Sequence, residues 1–376
     1  MPIDIVKVSD RKSLKKFINF ENTLFKGQPV HVPPFFVDEM ESLRYENNPA
    51  TEFCDFELYL AYKDGEIVGR VAAIVNHRAN EIWNHKEVRY GWFDFIDDPE
   101  VPAALLAKVE EYGKRFGMDK MSGPLGFTDF DPEGMMVEGY DKDGTIALKY
   151  AYPYYKKHME DLGFQKEIDW MEFRITIPKE IPDRLTQISK MVLEKYDLHV
   201  VDLPSKKVTR EKWGHKLFDL INETYAHLFD FTILPTGMID LYINKYLSLL
   251  SPKFVCIVAD SNDTPVGFGI SMPSITKALQ KCGGKLFPFG WWHLLKSMYF
   301  HYEDTVELLL VGVKPEYQKK GVSAVIMEKL NKVYIDGGFK YAETNATLET
   351  NHNIQNQWMN FEYEQSKRRR VYTKSI

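Results

Sequence analysis

The sequence predicts an α/β protein made of two similar units in tandem, each a mixed sheet flanked by helices. Three observations carry this. The chain has 376 residues, more than one hydrophobic core fills comfortably, so two domains are expected. Stretches with the two-residue alternation of strands are interleaved with stretches of helical spacing. The order strand, helix, hairpin, strand, helix, strand, helix, strand can be read twice, which suggests a duplicated unit at residues 1–178 and 179–376.

In the first unit "IDIVKV" is a short alternating strand, and "SDRKSLKKFINFENTLF" is a helix with Leu14, Phe17, Ile18 and Leu24 at helical spacing and Ser13 as its cap. "FELYLAYKDGEIVGRVAAIVNH" is a hairpin turning at Asp64-Gly65, a dipeptide that tolerates the positive φ angles of a tight turn. "EVRYGWFDFI" is a further strand, and "VPAALLAKVEEYGKRFG" is a helix with Pro102 in its first turn and Gly117 near its end. "MSGPLG" is a short strand, "FTDFDPEGMMVEGYD" a Gly-rich loop, and a helix ending in "MEDLGF" leads to the strand "WMEFRITI". The pattern stops at Pro178 and Pro182. In the second unit the same order is supplied by "LHVVDL", "REKWGHKLFDLINETYAHLF", the hairpin "FVCIVADSNDTPVGFGISMP" turning near Asn262 and Asp263, "TVELLLVGV", "GVSAVIMEKLNKVYIDGG", "KYAETNATL", "NIQNQWMNF" and "SKRRRVYTKSI".

Composition narrows the function class. Aromatic residues at 14% and a net charge of only -6 describe a globular chain with sizeable cores, and the charge implies no nucleic-acid partner. Cys54, Cys256 and Cys282 lie far apart, forming neither a CxxC pair nor an even framework, so reduced thiols and no metal site are expected. The N-terminal stretch has no apolar core of a signal peptide, and no run reaches the roughly 18 apolar residues of a membrane span. A cytoplasmic location is the expectation.

The junction "VGVKPEYQKKGVSAV", residues 311 to 325, passes from strand to helix. A helix starting there leaves its first N–H groups unpaired at the positive end of its dipole, a ready anion site. Gly321 allows close backbone approach, Ser323 and Ala324 keep the first turn small, and Lys319 and Lys320 add charge. An ordinary connection with solvated lysines is the alternative. The segment Gln318-Lys319-Lys320-Gly321-Val322-Ser323 resembles the signature of the GNAT superfamily of acyl-coenzyme A N-acyltransferases: Gln or Arg, two residues, Gly, one residue, Gly or Ala. Ser323 departs from it at the last position. "LLLVGVKPEYQ" is similar to that family's fourth strand, and Asn351, Ile354 and Trp358 fall at the spacing of a downstream Asn-x-x-Ala-x-x-x-Tyr pattern.

The resemblance implies two GNAT-like domains in tandem, with acyl-CoA as co-substrate, acetyl-CoA being the expected one. It implies that a bulge splays the fourth strand, that backbone near Val311 and Val313 pairs with the pantetheine arm, and that residues 318 to 324, with Val322 among them, hold the diphosphate. The corresponding junction of the first unit carries Asp97, Asp98 and Glu100. Like charges about 4 Å apart repel by about 4 kcal/mol at an effective dielectric of 20, so that unit is expected to have lost the coenzyme site and to wall an acceptor cleft.

Acyl transfer to an amine needs positioning, a proton acceptor and an acid for the thiolate. Alternation puts Glu307 on one face with Leu309, Val311 and Val313, eleven residues before Gln318. The resemblance makes it the candidate general base, against the reading of a solvated strand-end glutamate. Trp358 stands where many members have the tyrosine acid, and its indole cannot deliver a proton at neutral pH. Tyr363 is the substitute candidate, or simply packs at the start of the last strand. The aromatic stretch 283 to 302 is read as an inter-domain plug or homodimer contact, or else as a pocket for a long acyl chain or a lipid surface. Asp129, Asp131 and Glu133 form either a lure for a cationic acceptor or a solvated loop. Arg368 and Arg370 are expected as edge charge on the last strand.

The expected activity is acyl-CoA-dependent N-acylation, by an N-acetyltransferase, of a small-molecule or peptide amine held between the domains. Two alternatives stay open: a non-catalytic CoA-binding or interaction protein, and an aminoacyl-tRNA-dependent transferase of tandem type, which the charge disfavours.

Overall fold

The computed structural model describes residues 2–376 apart from 248, 301, 302 and 360, with the backbone alone at 299 and 300. The aromatic stretch noted above therefore ends outside the described residues. The strands are β1 Asp4–Lys7, β2 Cys54–Lys63, β3 Glu66–Asn76, β4 Glu87–Phe95, β5 Lys120–Gly123, β6 Met135–Glu138, β7 Gln165–Thr176, β8 Leu198–Val200, β9 Val255–Asp260, β10 Pro265–Pro273, β11 Thr305–Val313, β12 Tyr341–Thr344, β13 Thr347–Leu348 and β14 Tyr363–Ser375. The helices that position the site are α1 Arg11–Leu24, α2 Glu100–Arg115, α3 Asp183–Tyr196, α4 Gly214–Tyr225, α5 Gly290–Leu295, α6 Val322–Asp336 and α7 His352–Trp358.

Local chemistry explains most boundaries. Asp10, not Ser13, caps α1: its carboxylate accepts from Ser13 N–H at 2.6 Å, and the Ser13 hydroxyl accepts from Asp10 N–H at 3.1 Å, closing a reciprocal capping box. Asp64 and Gly65 both take positive φ, joining β2 to β3. The sequence reading missed α3, which starts after Pro182 and buries only Ser189 and Val192, and β6, inside the Gly-rich loop.

All named strands belong to one sheet, in the order β1-β2-β3-β4-β5-β14-β7-β12-β11-β10-β9-β8, with β6 beside β14 and β13 beside β7. Each half contributes the expected order of elements, but the two terminal strands are exchanged. β14, the end of the chain, pairs with β5 of the first half, while β7 of the first half pairs with β12 of the second. β14 is therefore interior, which corrects the expectation of edge charge. Lys367 and Arg369 are buried against Glu172 at 3.2 and 2.7 Å, and Arg370 pairs with Asp169 at 2.8 Å. Buried charges need such partners. β7, which ends at Thr176, lies inside the sheet between β14 and β12.

One large apolar core lies between the halves, joining Phe17, Leu58, Trp92 and Phe127 of the first to Trp213, Phe218, Ile239 and Phe268 of the second. Two further cores sit under α2 and under α6.

Candidate active site

β11 opens the site. It pairs with β12 only from Thr305 to Leu308, after which the two strands part. On its other side β11 stays paired with β10, but Ile270 opposes Leu310 while Ser271 opposes Leu308, leaving Leu309 as the extra residue of a bulge. The expected splayed strand is present. β4 has the same irregularity near Trp92, which takes φ +44°.

The bulge changes what faces the opening. One inserted residue inverts the alternation that follows it, so Glu307 does not share the face of Val311 and Val313. Its side chain is buried behind the cavity wall, accepting from Ile146 N–H at 3.1 Å and from the Thr276 hydroxyl at 3.4 Å, and burial pushes its pKa up to about 7. Glu307 is not among the residues lining the cavity. Tyr363 is not there either: it starts β14, half exposed, with its ring 5.9 Å from Phe173.

At the other end of β11 the chain turns through Lys319 (φ +61°) and Gly321 (φ +87°) into α6. The left-handed conformation at Gly321 suits glycine, and a Cβ there would lie 2.9 Å from Val192 Cγ2 of α3. Among the described residues the amides of Gly321, Val322 and Ser323 have no acceptor, and no side chain caps the helix. Gln318, Lys319, Gly321, Val322 and Ser323 line the cavity. Lys320 and Ala324 do not. The Lys320 ammonium sits over the rings of Tyr317 and Tyr196, 4.8 and 5.3 Å away, and Ala324 N–H is bonded to Gly321 O.

The backbone positions expected to pair with pantetheine are occupied. The Tyr225 hydroxyl donates to Val311 O at 3.1 Å and accepts from Val311 N–H at 3.2 Å, while Gln318 Nε2 donates to Val313 O at 3.3 Å. Asn351 caps α7, and with Ile354 and Trp358 it lines the cavity. Among the described residues the Trp358 indole N–H is buried without a hydrogen-bond partner.

The cavity, about 1230 Å³, continues from this cradle across the sheet into the space between the halves. The second half lines it with Phe218, Tyr246, Leu250, Ile275, Leu294 and Met298, the first with Val32, Trp92, Phe130 and Leu148. Within this apolar lining stand Asp129, Asp131 and Glu133. Asp129 accepts from Thr232 N–H at 3.1 Å, and Asp131 accepts from Phe127 and Thr128 N–H at 2.9 and 3.1 Å. Burial pushes Asp131 up to about 6 and raises Asp129 and Glu133, the latter further because Asp129 stands close by. Spacing alone could not separate this trio from a solvated loop. Pairing of β6 with β14 carries the far end of the loop into the sheet and turns its acidic stretch inward.

The first-half junction differs. Asp98 and Glu100 pair with Lys63 at 2.6 and 3.4 Å, Asp97 pairs with His158 at 2.7 Å, and none of them lines the cavity. Elsewhere His85, Glu87 and Asp230 bring possible metal-ligand atoms within 4.8 Å of one another, but Lys120 and Arg89 already lie 2.9 and 2.7 Å from these carboxylates. That cluster is an ion-pair network.

Comparison with known proteins agrees with this geometry. Residues 215–358 match the Acetyltransferase (GNAT) family. Protein YghO of Escherichia coli K12 is 28% identical over 379 residues, 98% of this chain and 94% of that protein. A bacterial ceramide synthase of Caulobacter vibrioides is 22% identical over 386 residues, 100% and 98% of the two chains. Among solved structures, a tandem GNAT protein from the clavulanic acid biosynthesis pathway superposes with a TM-score of 0.55 at 12% identity, covering 99% of this chain and 98% of that one. A glucosamine N-acetyltransferase region in a fungal multi-domain β-N-acetylglucosaminidase gives 0.57 at 12% identity, covering 99% of this chain and 38% of that one. Residues 215–358 thus match a GNAT acetyltransferase domain, and the whole chain has the fold of a tandem GNAT protein.

Proposed function

We propose that the protein transfers a long-chain acyl group from coenzyme A to the amine of a lipid-like acceptor bound between the halves. The observation that carries this reading is one continuous apolar cavity with unpaired helix amides at one end and three carboxylates of raised pKa in its wall. Its volume of about 1230 Å³ exceeds the roughly 300–1,000 Å³ typical of small-molecule sites. An acetyl group and a small amine need far less. The full-length similarity to a protein called a bacterial ceramide synthase supports the same class, since a ceramide is the amide of a fatty acid with a long-chain amino alcohol.

Acyl-CoA supplies the activated thioester. The amides of Gly321, Val322 and Ser323 hold its diphosphate, Asn351 and Ile354 flank the pantetheine arm, and the Trp358 indole N–H donates to one of its carbonyl oxygens. An acceptor amine enters protonated, drawn by Asp129, Asp131 and Glu133. A carboxylate whose pKa lies nearer neutrality takes that proton better than an ordinary one. The freed lone pair attacks the thioester carbonyl, the C–N bond forms, the C–S bond breaks, the thiolate leaves, and the extra proton now on the amide nitrogen passes to that thiolate, giving the neutral amide and the free coenzyme A thiol. With a thiol pKa near 8.5, thiolate is a fair leaving group without a dedicated acid. Glu307, behind the wall, is assigned to holding residues 146 and 276 together rather than to proton transfer.

The test is thiol release from acetyl-, octanoyl- and palmitoyl-CoA against a panel running from water-soluble amines to long-chain 2-amino-1,3-diols, with the product weighed by mass spectrometry. Amide formation that rises with the length of both partners, and is lost in Asp129→Asn with Glu133→Gln, is the expected result. Turnover restricted to acetyl-CoA with small amines would overturn the long-chain reading. Coenzyme binding without turnover on any pair would favour a sensor.

A further inference from the structure

We propose that the segment around α5 is a docking surface for an anionic phospholipid bilayer, placed so that a lipid passes from the membrane straight into the cavity. It goes beyond the acyl-transfer reading and does not require it. Phe287, Phe289, Trp291, Trp292 and Leu295 are 80%, 72%, 45%, 52% and 39% exposed, the densest run of large apolar side chains on the described surface. They are not a dangling loop. Phe36 N–H donates to Gly284 O at 3.1 Å and Gln280 Nε2 donates to Pro29 O at 2.7 Å, tying the segment to the first half, and within the segment the Trp291 indole donates to Pro288 O at 3.0 Å.

Exposed aromatic patches of this kind mark either protein or membrane contacts. Charge decides between them. No Asp or Glu occurs from residue 264 to 302, although acidic residues make up 54 of the 376 in a chain of net charge -6. In that acid-free stretch Lys277, Lys281, Lys285 and Lys296 are all exposed. Protein interfaces are depleted in lysine, whereas lysines around exposed Trp and Phe suit anionic headgroups above an acyl boundary. The other side of the same segment, through Leu286, Trp291, Leu294 and Met298, is cavity wall. One short segment therefore faces the bilayer outside and the acyl pocket inside.

The test is flotation of the full chain with vesicles of phosphatidylcholine alone and with about 30% phosphatidylglycerol. Binding to the anionic vesicles is expected. The variant Phe287→Ser, Phe289→Ser, Trp292→Ser, none of which lines the cavity, should weaken it more than about tenfold with an unchanged melting transition. Lys281→Glu with Lys285→Glu should weaken it as well, and so should high salt. The proposal is overturned if the wild type ignores both vesicles, if the serine variant floats equally well, or if the wild type is a dimer that the serine variant splits, which would assign the patch to a second copy. Flotation needs no turnover: vesicle binding without acyl transfer would sink the functional reading and leave this one, and transfer without vesicle binding would do the reverse.

Discussion

Replacing Gly321 by alanine tests the coenzyme cradle at one backbone position. Gly321 holds φ +87°, and a left-handed conformation costs an L-residue roughly 1–2 kcal/mol. The new Cβ would also meet Val192 Cγ2 at 2.9 Å, so the start of α6 must shift away from α3. A shift that turns one of the three free amides off the diphosphate forfeits a hydrogen bond to a charged group, about 1.5–3 kcal/mol, or roughly ten- to hundredfold in affinity. Isothermal titration with unacylated coenzyme A at fixed ionic strength reads this without turnover, and a urea melt reads the accompanying loss of stability. Val192→Ala in the same chain removes the contact but not the dihedral cost. The double variant should therefore recover most of the affinity but only part of the stability. Unchanged affinity in Gly321→Ala, within about twofold, would refute the assignment of these amides to the diphosphate.

Further outcomes follow from the same structure. Glu307 has its pKa raised by burial to about 7 from an ordinary 4.5, so it costs the folded state nothing below about pH 4.5 and its full penalty above pH 7. At about 1.4 kcal/mol per unit this is about 3 kcal/mol, and Glu307→Gln should gain that much stability relative to wild type between pH 4.5 and 8 in urea melts. An equal difference at both pH values would show that the carboxyl does not titrate in this range. Tyr225→Phe leaves the Val311 amide and carbonyl unpaired, which should lower stability by about 1–3 kcal/mol while tightening coenzyme binding, because the pantetheine arm no longer competes with the phenol. Weaker binding would mean that the hydroxyl itself holds the coenzyme. The fragment 1–178 lacks β14, leaving β5 and β7 without their shared neighbour, so it should show no cooperative thermal transition by circular dichroism. A sharp one would make the first half an independent domain.

Much of this was legible in the sequence because it is written locally. The Asp64-Gly65 turn, the apolar run of β11, and Gln318 through Gly321 before α6 each depend on a few neighbouring residues. The remaining features depend on partners far along the chain. The alternation of "SKRRRVYTKSI" is the same whether β14 lies at an edge or between β5 and β7, so the exchange of strands could not be read from it. Helix α3 carries Leu185, Ile188, Val192 and Tyr196 at helical spacing, but the two prolines before it read as a stop. Alternation puts Glu307 on the wrong face because the bulge falls at Leu309, after it; the family resemblance implies a bulge in this strand, but nothing in "ELLLVG" marks the residue at which it falls. The acidic residues 129 to 133 needed the sheet to turn their loop inward.

A crystal structure with a non-hydrolysable long-chain thioether of coenzyme A tests the central claim most directly. Diphosphate oxygens within hydrogen-bonding distance of the amides of Gly321, Val322 and Ser323, with the alkyl chain running toward Leu250 and Met298, is the predicted result. A diphosphate seated beside Glu100 of the first half, or an alkyl chain left in solvent with the inter-half cavity empty, would contradict it.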